Sequence, residues 1–193
     1  MILLRIFMVA LALLAGSAHA DWTLDKDQSE LTFLSDKNSG IVERHSFQSF
    51  DAQLLSSGAF EASIDVSTVE TGIHIRNDRM RAMLFNVPKF PKATVTGAIP
   101  EFSASTFSDR STQLSVSLQV SLVGITQEVP ARLSVVRDST GGFSVQTLEP
   151  ILLKASDFGL QQGVEALRTV AGLQTISTTV PVSFSLYLKP TSL

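Results

Sequence analysis

The chain of 193 residues contains no cysteine, which removes disulfides, thiolate metal sites, thiol nucleophiles and lipid attachment through an N-terminal cysteine. Stability has to come from an ordinary core. Tryptophan and tyrosine occur once each, so the belts of amphipathic rings that border an outer-membrane barrel are missing. Histidine is nearly as scarce. Outside the first 20 residues only His45 and His74 remain, far apart and without carboxylates spaced for a metal site. No HExxH, GxSxG, P-loop or GxGxxG pattern is present. Both histidines are therefore expected at the surface or at strand ends, and a hydrolase using either would have to assemble from distant positions. The formal net charge is −3 with no basic run, which argues against nucleic acid as a partner.

Long apolar runs are also few, and the clearest lies at the start. In MILLRIFMVALALLAGSAHA, Arg5 precedes an apolar stretch from Ile6 to Leu14, and Ala18-His19-Ala20 forms a small-x-small cleavage site. This is the grammar of a secretory signal peptide. The run is too short for a membrane span of roughly 20 residues. A leader of residues 1–20, cleaved after Ala20, and a periplasmic destination are expected, with residues 21–193 forming one domain that is not transmembrane.

What the sequence does contain is alternation. Leu114, Val116, Leu118, Val120 and Leu122 alternate with Ser115, Ser117, Gln119 and Ser121, and a second series runs from Ile176 through Val180, Val182, Phe184 and Leu186 to Leu188. Period-2 patterning of this kind predicts strands with one apolar face. Weaker copies include Leu31/Phe33, Phe60/Ala62/Ile64/Val66, Ala93/Val95, Val129/Ala131/Leu133/Val135 and Phe143/Val145, separated by KNSG, SSG, AIP and DSTGG. The expected fold is all-β, about eight strands in meander order forming an antiparallel barrel or sandwich, with the barrel preferred. Pro130 and Pro181 fall inside strand patterns and should mark bulges, strand starts or an opening. Such a barrel is either filled by its own side chains or just wide enough for one small ligand, and patterning leaves both open.

One stretch breaks the rhythm. In IRNDRMRAMLFNVPKFP, Met80, Met83, Leu84 and Val87 recur at helical spacing, and two prolines follow. The expectation is a short helix over 77–86, capped by Asn77 or Asp78. It would lie across a barrel mouth with Met80, Met83 and Leu84 inward, Phe85 close by, Arg79 and Arg81 toward solvent, and Arg76 near a polar head group. A second helix or long loop is expected at QQGVEALRTVAGLQ, with Val164, Leu167 and Val170 on one face.

Several segments taken in order carry a resemblance: Trp22-Thr23-Leu24-Asp25, SELTF, SFQSF, ASIDVSTVETGIHIRNDRMRAMLFNVPKFP, LVGITQEV and KASDFGL. The chain resembles the YceI-like family of secreted, lipocalin-like barrels that bind polyisoprenoid lipids, including isoprenoid quinones. The resemblance implies an apolar tunnel, no catalytic residues, no metal and no cofactor other than the lipid ligand. Its contacts would come from Phe33, Phe60, Ile64, Val95, Leu118, Val120, Leu133, Phe184 and Leu186 on strands. Met80, Met83, Leu84 and Phe85 would add the helix, Arg76 the entrance, and Phe47 and Phe158 the quoted motifs. A membrane b-type cytochrome is an expected partner and a homodimer an expected assembly. The competing reading is a filled, non-catalytic interaction module.

Overall fold

The structure, a computed structural model, describes residues 21–191. The expected leader lies outside the described residues. The strands are β1 (Trp22–Leu24), β2 (Glu30–Lys37), β3 (Ile41–Phe47), β4 (Phe50–Leu54), β5 (Ala59–Asp65), β6 (Val69–Glu70), β7 (Lys92–Ala98), β8 (Thr112–Leu122), β9 (Ile125–Arg137), β10 (Phe143–Thr147), β11 (Ile151–Lys154) and β12 (Thr179–Pro190). Two α-helices accompany them, α1 (His74–Arg79) and α2 (Gln161–Val170).

The ladder β1-β4-β5-β7-β8-β9-β10-β12 closes on itself because β1 also pairs with β12, from Trp22 opposite Pro190 to Leu24 opposite Leu188. This is a closed eight-stranded antiparallel barrel. The remaining strands extend its wall toward one end: β2 lies beside β12, β3 beside β2, β6 beside β3, and β11 beside β12. A one-turn 3-10 segment at Lys26–Gln28 interrupts β1 and β2, which together form one bent stave of the barrel.

The alternation works as the sequence predicts. In β8, Val116, Leu118 and Val120 are buried while Ser115, Ser117 and Gln119 face out. An outer face of hydroxyl and amide groups is the reverse of a lipid-facing wall. β8 passes to β9 through Val123 and Gly124, both in the left-handed region (φ 47° and 81°), as a tight two-residue hairpin requires. Pro130 lies beyond the last rung of β10 on β9, and Pro181 beyond the last rung of β2 on β12. Each therefore sits where one edge of its strand has no ladder to lose. One boundary differs from expectation. β12 starts at Thr179, and Ile176 makes only an isolated bridge to Lys37.

The two ends of the barrel are closed differently. At one end β1 and β12 bring the described termini together, with Thr191 N–H donating to Asp21 O at 2.9 Å. Trp22, Phe102, Phe107 and Phe143 form a cluster there, with edge-on contacts of 5.1 Å (Trp22–Phe143) and 5.6 Å (Phe107–Phe143) between ring centres. The opposite end carries α1 and α2. Among the described residues no helix is long and apolar enough to cross a membrane.

Candidate functional site

Between the two ends the barrel is hollow. The cavity offers an accessible volume of about 140 Å³, inside about 990 Å³ of space free of protein atoms that includes open solvent. Its size has a cause in the sequence. Ala52 faces Ala62 across β4 and β5, and Gly97 lies opposite Phe60, so these rungs add little side-chain volume between the larger Phe50, Leu54, Phe60 and Ile64. Of the residues expected to contact a ligand, Phe60, Ile64, Val95, Leu118, Leu133, Phe184 and Leu186 line this space. Phe102 and Phe107 also line it, from the loop between β7 and β8. Sequence patterning missed them because a loop has no period. The available signal was two Phe in an otherwise polar stretch, EFSASTFSD.

The other expected residues lie above the cavity. Phe33, Met80, Phe85, Val120 and Phe158 belong to the buried core, with Phe47 and Leu84 packed against it. Phe33, Phe47 and Phe85 form a column of rings with centres 5.4 Å and 6.0 Å apart. They close the helix-bearing end of the cavity and do not line it.

The helical segment differs from expectation in three ways. It starts at His74 with no side-chain cap. Asn77, expected as a capping residue, is 1% exposed and locks the incoming loop. Its Oδ1 accepts from Thr71 N–H (3.0 Å) and Thr71 Oγ1–H (2.6 Å), while Nδ2 donates to Glu70 at 3.2 Å. After Arg79 the helix widens into a π-turn, Met80–Leu84, closed by Phe85 N–H to Met80 O at 3.0 Å. The extra residue in the turn breaks the 3.6-residue stripe, so Met83 points outward at 39% exposure instead of joining Met80. Arg81 does not run free in solvent either. Its Nε donates to Ser67 O at 2.6 Å and its Nη1 meets Asp78 at 2.8 Å.

α2 confirms the second helical segment and packs on the π-turn through Gly163, where a Cβ would stand 2.8 Å from Met83 O. Leu167 packs on the core, but Val170 is exposed. Ile41, Val42, Ile73 and Ile75 are exposed at the same end.

A polar group interrupts the apolar interior here, and it corrects the expectation for one histidine. His74 is exposed on α1, whereas His45 is 4% exposed on the inner face of β3, opposite Phe33. Its Nε2 is 2.8 Å from Ser35 Oγ, and its Nδ1 has no partner. Burial, reinforced by the Arg76 guanidinium, lowers its pKa from 6.5 to about 4, so the ring is neutral at ordinary pH. Arg76 is not a free cation at an entrance. It pairs with Glu43 and donates to Thr71 O at 2.5 Å, leaving Nε buried and unpartnered. Lys37 meets the same Glu43 at 2.6 Å, and its hydrogen bond, with Arg76 adding to it, holds that carboxyl below the usual range.

A closed, hollow, antiparallel barrel with an apolar interior and a short polar throat under a helix is the architecture of a small-ligand-binding barrel of the lipocalin-like kind. The family model of the YceI-like domain matches residues 22–188, and the chain belongs to that family. It is similar to a polyisoprenoid binding domain from Saccharophagus degradans implicated in plant cell wall breakdown. The two are 34% identical over 90% of this chain and 100% of that one, with a TM-score of 0.86. BcnA from Burkholderia cenocepacia, 17% identical over 85% and 98% of the two chains, shares the fold at a TM-score of 0.67. So does the YceI protein of Campylobacter jejuni, 13% identical over 77% and 85%, at 0.53. No match was found among curated proteins.

Proposed function

We propose that this protein binds and carries a polyisoprenoid lipid, with an isoprenoid quinone the favoured member of that class. One observation carries the reading: an enclosed cavity lined by apolar side chains in a chain that is 34% identical to a polyisoprenoid binding domain. Each buried methylene contributes ~0.8 kcal/mol, so a chain of tens of carbons would exceed the practical affinity ceiling of roughly −20 kcal/mol if fully enclosed. A carrier has to release its cargo, and partial enclosure in a cavity of this size limits the grip. The leader-like residues 1–20 support export to the periplasm, where a prenyl lipid needs shelter from water. A membrane b-type cytochrome as partner and a homodimer as assembly belong to the same reading.

Organic extraction of the exported, purified protein followed by mass spectrometry tests it. A prenyl lipid recovered in near-stoichiometric amount is the expected result. Protein that is empty, and that takes up no prenyl quinone from vesicles, would overturn the reading in favour of an interaction module.

A further inference from the structure

β7 and β8 are neighbours in the barrel, yet thirteen residues, 99–111, connect them, where a tight hairpin needs about two. Their ladder is short. Only Thr94–Thr96 of β7 stands in register with β8, at Ser121 to Gln119, whereas β9 follows β8 along all of Thr112–Leu122. The half of β8 that carries Leu114 and Val116 therefore has no β7 rung beside it, and both residues line the cavity. The connecting loop lies at this seam and sends Phe102 and Phe107 into the cavity lining.

The loop is held from two sides. Ile99 N–H donates to Gly58 O at 2.9 Å, and Arg137 N–H donates to Ser108 O at 2.8 Å. Gly58 lies in the left-handed region (φ 84°), and a Cβ there would stand 2.5 Å from Phe102 Cβ, so glycine is what lets Phe102 seat. The ring centres of Phe102 and Phe107 are 5.7 Å apart, and Phe102 meets Trp22 edge-on at 5.9 Å. Phe102, Phe107 and Phe143 line the cavity and Trp22 does not. Three rings thus form the floor at the pole where the described ends meet, with Trp22 beneath them.

We propose that Phe102 and Phe107 set the length of prenyl chain that the barrel encloses. The inference rests on the carrier reading above and names the residues that determine specificity within it. A chain running down the barrel ends where the floor begins. Up to that limit each further isoprene unit buries apolar surface and tightens binding by about tenfold or more. Beyond it, the surplus stays outside the cavity and adds little. Because the floor comes from a loop at a seam without rungs, the limit belongs to two side chains and not to the strand framework.

The test titrates geraniol, farnesol, geranylgeraniol and solanesol, which share a head group and differ in length, into the exported protein. The same series is run on Phe102→Ala, Phe107→Ala, Phe107→Leu and Phe184→Ala, with a melting temperature for each. Trp22, the only tryptophan, reports contact with the floor through its emission. In the wild type, affinity should rise with length and then level off, and the alcohol at that limit should shift Trp22 emission. Each Phe→Ala change in the floor opens a space of roughly one isoprene unit and should let the next longer alcohol bind about tenfold tighter. Phe107→Leu, which keeps most of the bulk and with it the fold, should show the same gain by a smaller factor. Phe184→Ala removes a ring from the wall and should weaken all the alcohols without moving the limit. A limit that stays put in the floor variants, one moved as far by Phe184→Ala, or a limiting alcohol that leaves Trp22 emission unchanged would overturn the floor alone. Failure of the wild type to bind any of the alcohols would overturn the carrier reading as well.

Discussion

The ring of Phe60 lies across the bare backbone of Gly97, its cross-strand partner on β7. A Cβ added to Gly97 would stand 2.9 Å from Phe60 Cε1 and closer still to the ring tip. The glycine is there for contact, since its backbone is ordinary extended strand. Phe60 lines the cavity, so a displaced ring has free space only inward. Gly97→Ala should therefore reduce the amount of prenyl lipid bound at saturation while lowering the melting temperature only slightly. A large loss of stability with unchanged capacity would show that the ring has no room to move.

The two faces of the barrel should differ sharply in what they tolerate. Leu186 lines the cavity, whereas Ser117 is exposed on the outer face and bonds Glu128 at 2.5 Å. Leu186→Glu places a charge in an apolar space without a partner and should abolish lipid uptake or folding. Ser117→Lys should leave both intact within ~0.5 kcal/mol, measured by urea unfolding and lipid retention.

His45 should make stability depend on pH in an unusual window. Its pKa is lowered from 6.5 to about 4 on folding, so the unfolded chain takes up the proton first as pH falls. The sign follows: the stabilisation is complete above about 6.5 and is lost progressively down to about 4, by ~3 kcal/mol in all. Glu43 and Asp138, whose carboxyls are depressed, lose their own contributions only below their ordinary values of 4.5 and 3.8. Urea unfolding between about pH 7 and pH 4 should show a clear decline for the wild type and a much flatter curve for His45→Gln. Parallel curves would mean that His45 takes up its proton as readily in the folded protein as in the unfolded chain.

Asn77 should prove the most sensitive polar residue of the helical end. Asn77→Leu fills a similar volume but leaves Thr71 N–H without its acceptor and turns Thr71 Oγ1–H to the longer contact with Ile73 O, at a cost of ~1–3 kcal/mol. Differential scanning calorimetry gives the loss. Hydrogen exchange should place it in Thr71 to Phe85, with β8 and β9 remaining protected.

Much of the barrel was legible, and what was not has physical reasons. β8 and β12 could be read because every inward position is apolar. β3 could not, although it is a full strand of the wall. Its inward positions are Glu43, His45 and Phe47, and the polar throat overwrites the alternation that would have revealed it. The residues that make the site distinctive thus hid the strand that carries them. Met83 was misplaced for a different reason: a 3.6-residue template cannot register the π-turn at Met80–Leu84. Phe102 and Phe107 are brought to the cavity by a loop, whose course the sequence does not encode in any period.

The meeting of the two ends of the described barrel determines how it can be held. Asp21 and Thr191 are bonded backbone to backbone at the aromatic-closed pole, while α1, α2 and the throat are at the other. Any anchor, affinity handle or fused domain at either terminus therefore grips the same pole and presents the helical end outward. Immobilised protein should exchange lipid with vesicles as freely as protein in solution. The same adjacency makes the barrel a natural subject for circular permutation. A short linker can join Asp21 to Thr191, and new ends can be cut between the exposed Ser139 and Thr140, leaving the order of staves around the ring unchanged.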